Sequence, residues 1–594
     1  MRLLITTLAL LVALCTPHAR AAGAPQVLYL DTPTTPGNGG EHGQGGYLSI
    51  FGRGFGSSAD LGKRTRVFLG TQEVASYRYL GAAKVGARLG IQQITVQVGR
   101  QAHSGIALPV RVVVDGAQSN ADQYVTPTDG HVLFVALDGN DATAKPDDIT
   151  RPWRHLQVAS SYTGAYFAAA AGDQIVLRGG RWSDVDGVDG TWMRASMGAS
   201  ARNGRSSAWI SITAYPGPEH ANTPEDVHYT TPPGRAGGIA GPWAAIAGTS
   251  GNYWAVSNLH LDVDGRAARD AAPINFQYAA GPWRVVNNEL GPWPVHDVER
   301  ARAGGITGSG TGMLLLGNHI HDIGGTSALE NHGIYADTAA MRWEIAYNWI
   351  HDISGGSLVQ FFDAKGVAGD ARTPGGEPWP GFVGMRVHHN WLQNAAKYGL
   401  NLGDNGARDG RVELQAWNNV IVGTRLSPVR MKSSAGQFDV TIAYNTIVDA
   451  MTGDAGANAY FRNEGQGAGA VRVLDNLLAL GPRTATDTDW FNDRWGSSPG
   501  WVFGNNLYWA PGRRLGPQRG DGVPVEGDPK IGAPVAADLV PGSGSAALHR
   551  ALLPTPMAVT DDFWNRPRQR NGNNDIGAFQ GSDTTPGAPS ASAR

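Results

Sequence analysis

The chain has 594 residues, of which 17% are charged and 82 are glycine, and its formal charge is -3. A turn-rich, helix-poor composition favours an all-β protein, and the near-neutral charge excludes a nucleic-acid footprint. No Gly-X-Y period runs through the chain, so a collagen-like fibre is excluded as well.

Residues 1–21 read as a signal peptide: Arg2 opens it, residues 3–14 are apolar, and Ala19-Arg20-Ala21 fits a small-x-small cleavage site. The apolar run is too short to span a bilayer comfortably. The expectation is a secreted protein, periplasmic or extracellular, with no transmembrane segment after signal removal. Cys15, the single cysteine, lies inside this segment, so the mature chain offers no thiol, disulfide or Cys-ligated metal. Loss of Arg2 and Arg20 takes the charge to -5.

Residues 24–126 form a first unit. Alternating apolar runs at 45–56 (GGYLSIFGRGFG), 65–70, 92–98 and 108–116, each bounded by turns, predict antiparallel strands of a sandwich. The pattern YLSIFGRGFG, then RVFLG, then VRVVVDGAQSN resembles the immunoglobulin-like fold of the plexin and transcription-factor (IPT/TIG) type. That resemblance implies a spacer or binding platform without chemistry. TPTDG (126–130) reads as the linker.

A second unit covers 131–580, and 581–594 reads as a disordered tail. From Trp153 to about Ala171, apolar residues at helical spacing (Leu156, Ala159, Tyr162, Tyr166) predict a helix, and GDQIVLRGG a strand. Then an Asn before an apolar pair recurs at Asn258, Asn288, Asn318, Asn348, Asn390, Asn419, Asn445, Asn476 and Asn506. The intervals are 30, 30, 30, 42, 29, 26, 31 and 30. Short β-branched strands, glycine turns and this period predict a right-handed parallel β-helix, whose coils stack about 4.8 Å apart. The Asn would stack as an internal ladder, each amide bonding the coils on either side. His321 and His351 follow the same repeat; no further ligands at a recognised metal spacing accompany them and His319, so they read as stacked rung residues. The opening VALDGNDATAKP…RPWRHLQVA…AGDQIVLRGG and the closing GDPKI, ADLVPGSGSAAL and NNDIGAFQ resemble secreted parallel β-helix proteins.

The strand upstream of each ladder Asn should line a groove. Aligned by alternation, the inward pairs are Ile334/Ala336, Val359/Phe361, Leu400/Leu402, Val429/Met431 and Ala459/Phe461. One outward column is then Tyr335, Gln360, Asn401, Arg430 and Tyr460. The next is Asp337, Phe362, Gly403, Lys432 and Arg462, beside His332, Asp363 and Asp404. This concentration of cations suits an acidic polysaccharide as partner. β-Elimination from a uronate needs its carboxylate neutralised, a base at C5 and an acid for the leaving oxygen. Arg430 and Arg462 would hold the carboxylate. Lys432 between them, its pKa lowered by like charges, would be the base, and Tyr335, Tyr460 or His332 the acid. Gln360, Asn401 and Tyr460 would bind sugar.

RMKSS and YFRNE resemble the Lys and Arg motifs of chondroitinase B and the related alginate lyases. That resemblance implies elimination, with calcium often neutralising the uronate. In that family a calcium-binding Glu stands just before the Lys; here Ser427 and Pro428 occupy the stretch. Two alternatives remain. Asp337, Asp363 and Asp404, ending three groove strands, suit paired-carboxylate glycoside hydrolysis or a calcium site. A non-catalytic glycan-binding or adhesion protein would use Trp182, Trp192, Trp243, Trp254, Trp283 and Trp293 for stacking. The insert between Phe362 and Gly384 is expected to form a rim loop over the groove.

Overall fold

The computed structural model describes residues 23–581 apart from 101–104, 159–160, 183–192, 195–201, 232–243, 250, 264–271, 278–280, 294–303, 325–330, 364–371, 373–375, 405–410, 433–436, 454–458, 466–467, 495–499, 533–538, 553–556, 558 and 570–572. At 193–194, 230–231, 244–249, 263, 277, 363 and 404 it describes the backbone alone. The expected signal peptide, and all of the expected tail but Gly581, lie outside the described residues. Among those described, no helix is long and apolar enough to cross a membrane.

Two sheets form the N-terminal sandwich. One runs Gln26–Leu30, Tyr47–Arg53, Gln92–Gln97, Ser76–Ala82, all antiparallel. The other is built on Leu108–Val114, flanked by Thr65–Leu69 and Tyr124–Thr128. The apolar half of each alternating strand meets in the middle: Leu48, Ile50, Val67, Ile94, Val96, Val110 and Val112 are all fully buried.

From Val132 to Glu526 the chain forms a right-handed parallel β-helix of three sheets, with twelve, twelve and ten strands among the described residues. One rung runs Leu314–Leu316 in the first sheet, His319–Ile323 in the second and His332–Ala336 in the third. The next repeats it as Glu344–Ala346, Trp349–Ile353 and Val359–Asp363, each strand pairing in parallel with its predecessor. Stacked apolar side chains fill the interior, and all ten predicted inward residues are at most 1% exposed. The helix expected from Trp153 shrinks to Ala165–Ala168. Gly164, at φ 95°, breaks the run, and the backbone before it closes a Val158–Thr163 bridge.

The asparagine ladder runs from Asn288 to Asn506. Each Oδ1 accepts the backbone N–H of the preceding Asn: Asn318 N to Asn348 Oδ1 is 2.9 Å, Asn348 N to Asn390 Oδ1 3.0 Å and Asn445 N to Asn476 Oδ1 2.9 Å. Each Nδ2 donates to a carbonyl of the preceding rung, as Asn390 does to Ile345 O at 2.8 Å. The carboxylate of Asp521 closes the column by accepting the Asn505 and Asn506 N–H groups. Asn258 is not a member, which corrects the expected first position. Leu259 N–H donates to Asn288 Oδ1 at 3.0 Å, so Leu259 holds that place. Asn258 takes the left-handed turn position before it (φ 62°) and bonds Ser49 of the sandwich instead. Asn390→Ala should cost about 2–4 kcal/mol, because it strands the Asn348 N–H and the Ile345 carbonyl in a dry interior. A lowered denaturant midpoint at unchanged slope would show it.

The sandwich docks against the helix through Tyr29, which stacks on Phe51 and Tyr347 at 4.9 and 5.4 Å. Asp31 is buried in this joint and accepts from Thr32 N–H, Ser49 N–H and the Ser257 hydroxyl. Burial outweighs those bonds and raises its pKa to about 6. A carboxyl raised in the folded state supports folding while protonated, and that support is lost as pH rises through about 6. Asp31→Asn, which keeps the acceptor, should therefore be more stable than the wild type by about 1–3 kcal/mol above pH 7, and no more stable near pH 4. Denaturation of both proteins across pH 4–8 measures the difference.

Candidate active site in the groove of the third sheet

The third sheet presents one outward register line through Thr307, Tyr335, Gln360, Asn401, Arg430, Arg462 and Asn492. The line agrees with the predicted column up to Arg430 and departs on the next rung. There Val429 pairs with Phe461 and Arg430 with Arg462, two residues further along than alternation alone suggested. Tyr460 is therefore corrected out of the groove. It is fully buried, stands edge-on to Trp490, and its hydroxyl donates to Ala479 O at 2.6 Å. Burial pushes that hydroxyl far above its usual pKa.

The floor of the groove is one polar chain. The Ser357 hydroxyl (3.2 Å) and Asn401 Nδ2 (2.7 Å) both donate to Gln360 Oε1. Arg430 NH1 donates to Asn401 Oδ1 at 3.4 Å. Arg430 Nε then donates to Glu464 at 2.9 Å, and its guanidinium lies 4.8 Å from the centre of the Tyr398 ring. Arg462 pairs with the other oxygen of Glu464, and Arg494 stands 3.8 Å from it. Burial raises the Glu464 carboxyl, but the Arg430 hydrogen bond and the charges of Arg430, Arg462 and Arg494 outweigh it and hold it below the carboxylate range. Burial raises Tyr398, which stays protonated. Arg462 Nε is buried without a hydrogen-bond acceptor among the described residues.

Lys432 does not insert between the two arginines as expected. It is level with Gly403 on the rung before, where a Cβ would stand 1.9 Å from the Lys432 carbonyl oxygen. Over that bare position the Lys432 side chain places Nζ 5.4 Å from the centre of the Phe362 ring. From the other direction the Tyr335 hydroxyl reaches the Phe362 carbonyl at 3.2 Å and Asp337 Oδ1 at 3.5 Å. Lys432 and Tyr335 start three rungs apart, about 14 Å, yet both converge on Phe362. His332 packs 5.2 Å from the Tyr335 ring, and its Nδ1 accepts the Ser357 N–H at 3.0 Å. That bond puts the imidazole proton on Nε2.

Asp337 Oδ1 accepts the Thr338 N–H at 2.7 Å and its hydroxyl at 3.2 Å, a local turn arrangement. Asp363 and Asp404 are register partners on adjacent rungs, and their side chains lie outside the described residues. Trp182, Trp254, Trp283 and Trp293 are core residues and present no ring to a ligand, while Trp192 and Trp243 lie outside the described residues. In the insert after Phe362, Trp379 turns into the interior and donates to Ala340 O at 3.2 Å, so this part of the segment anchors to the core. Glu464 and Tyr398 belong to the site but were not among its expected members. Glu464 was legible as lying two residues beyond Arg462, and so on the same face.

Among the described residues, two other groups of side chains could hold a metal, both at the second sheet: Asp226, His228 and His260, and Glu289, His319 and His321. All but Asp226, which directly precedes its strand, lie in strands that pair rung upon rung.

No protein-family model matches the chain, and no curated protein matches it in sequence. Solved structures with some similarity include the A-module of mannuronan C-5 epimerase AlgE4 of Azotobacter vinelandii, at 10% identity and TM-score 0.32 over 60% of this chain and 91% of that one. A rhamnogalacturonan lyase aligns at 14% identity and TM-score 0.31, over 62% of this chain and 89% of that one. The catalytic unit of a thermostable GH87 α-1,3-glucanase from Streptomyces thermodiastaticus strain HF3-3 aligns at 10% and 0.25, over 77% and 85%. An epimerase, a lyase and a glucanase share little chemistry, so the groove's own side chains carry the functional argument.

Proposed function

We propose that the protein is an exported enzyme that cleaves an acidic polysaccharide by β-elimination in the groove of the third sheet. The observation that carries this reading is the gathering of Arg430, Arg462 and Arg494 around the carboxylate of Glu464, with Lys432 on the same face. Polyanionic chains are the natural ligand for such a cluster of guanidinium groups.

In the proposed reaction a uronate carboxylate shares Arg430 and Arg462 with Glu464, and its negative charge is offset so that the C5 proton becomes acidic. Lys432 takes that proton as the base. The C5–H electron pair becomes the C4=C5 double bond, the C4–O bond breaks, and the leaving oxygen takes a proton from the Tyr335 hydroxyl. Solvent then returns a proton to Tyr335 and removes one from Lys432. The sugar between base and acid rests on Phe362. His332 packs beside the Tyr335 ring and supports it. Gln360 and Asn401 bind hydroxyls of neighbouring sugars. A calcium ion at Asp337 would have to compete with the Thr338 donors for Oδ1, so no step is drawn through a cation. The sandwich, here read as an IPT/TIG-type module, serves as a platform against the helix.

Incubation with a panel of uronic-acid polymers tests this reading. An ultraviolet-absorbing unsaturated end on at least one polymer is the expected product. New reducing ends without absorbance would make the protein a hydrolase, and binding without cleavage would make it a lectin-like module.

A further inference from the structure

The second sheet, away from the groove, gathers nitrogen ligands that the proposed elimination does not use. Glu289 pairs in register with His319, and His321 with His351, across three consecutive rungs. One ligand atom from each of Glu289, His319 and His321 lies within 4.8 Å of the other two. Nε2 of His351 lies 2.8 Å from Nε2 of His319, and Nε2 of His321 lies 3.6 Å from Glu289 Oε1.

These rings are aimed from behind. The Asp322 carboxylate holds Nδ1 of His321 at 2.9 Å, and the Asp352 carboxylate holds Nδ1 of His351 at 2.6 Å. Both aspartates sit at positive φ, 51° and 55°, so a repeated turn folds each carboxylate back onto the ring before it. Asn394 in turn steadies Asp352 at 2.9 Å. A carboxylate on Nδ1–H leaves the Nε2 lone pair pointing forward, the usual outer support of a metal-bound imidazole. Nε2 of His321 is buried and has no hydrogen-bond partner among the described residues. The second oxygen of Glu289 is held by Lys84 of the sandwich at 3.2 Å, which leaves Oε1 facing the histidines.

We infer that Glu289, His319 and His321, with His351 as a fourth donor, bind a divalent transition metal of the zinc class. Three imidazoles and one carboxylate favour such an ion over calcium or magnesium, which take oxygen ligands. Tetrahedral bonds of about 2.0–2.2 Å separate ligand atoms by about 3.3 Å. The ligand atoms of Glu289, His319 and His321 already lie within 4.8 Å of one another, and His351, 2.8 Å from His319, has to turn inward to complete the set. With all four positions filled by protein the ion is structural rather than catalytic. It clamps three rungs together and, through Lys84, ties the sandwich to the helix. Ring stacking of His319 on Trp349 at 4.2 Å accounts for the parallel planes. It accounts neither for the aspartates behind the rings nor for the His321 Nε2, which faces Glu289 Oε1 at 3.6 Å, beyond hydrogen-bond distance. The second group, Asp226, His228 and His260, is the less enclosed of the two, because Asp226 is exposed.

The test strips the full chain with a chelator, then titrates it with zinc or cobalt(II). His321→Ala and the near-isosteric Glu289→Gln should each bind one equivalent less than the wild type. Zinc should raise the melting temperature of the wild type and leave both variants unmoved. Cobalt(II) in the wild type should give the visible bands of a four-coordinate ion. Equal metal content in the wild type and both variants, or displacement of zinc by an equal concentration of calcium, would overturn the assignment. Glu289→Gln carries the test alone if His321→Ala does not fold. The outcome is separable from the groove chemistry, because the two sites share no residue.

Discussion

Lys432→Ala should lower the rate of unsaturated-product formation by about 10²–10⁴-fold, the usual contribution of a positioned base. The fold should survive the change, because Lys432 lies on the outward, groove-facing side of its strand and not in the core. A small primary amine added to the solution should restore part of the lost rate in this variant and none in the wild type. Such rescue separates a base from a residue that only shapes the groove, since packing is not supplied by a diffusing amine. Undiminished elimination in Lys432→Ala would remove the lysine from the mechanism. Loss of cleavage on Asp337→Asn, with Lys432→Ala fully active, would move the chemistry to the carboxylates.

Arg462→Ala should cost about 10²–10³-fold in kcat/KM on a free-acid polymer, the typical effect of removing one charge-stabilising donor. Glu464 stays ionised in this variant, since Arg430 and Arg494 remain beside it. The informative comparison is with the methyl-esterified polymer, whose ester carries no charge to neutralise. The wild type should prefer the acid form strongly, and in Arg462→Ala that preference should collapse because the acid loses more than the ester does. An equal loss on both forms would reduce Arg462 to a general binding residue.

The faces of the groove strands could be read from the amino acids because inward and outward positions alternate and water punishes a mistake. That is why all ten inward residues, Ile334 to Phe461, came out buried. Register was harder. A shift of two residues preserves the alternation, so Tyr460 and Arg462 could trade places along the last groove rung without any apolar side chain turning outward. Alternation alone cannot detect that shift; the pairing of Val429 with Phe461 resolves it. Asn258 illustrates the same weakness at one residue, where the left-handed turn position and the ladder position both suit asparagine. Glu464, two residues beyond Arg462 and on the same face, was legible as an ion-pair partner for the groove cations; that it joins Arg430 as well, 34 residues away, follows from the rung and not from a motif. Glu289 escaped for a related reason: it stands 30 residues before His319, a spacing set by the rung and not by any ligand motif. Coil-by-coil alignment of polar as well as apolar positions is the signal that would have exposed both.

Cleavage of a uronic-acid polymer in heavy-oxygen water tests the central claim most directly. Elimination breaks the C4–O bond without adding water, so the account predicts fragments that carry no label at their new ends and absorb in the ultraviolet. Fragments that take up one heavy oxygen per cut, without absorbance, would contradict it.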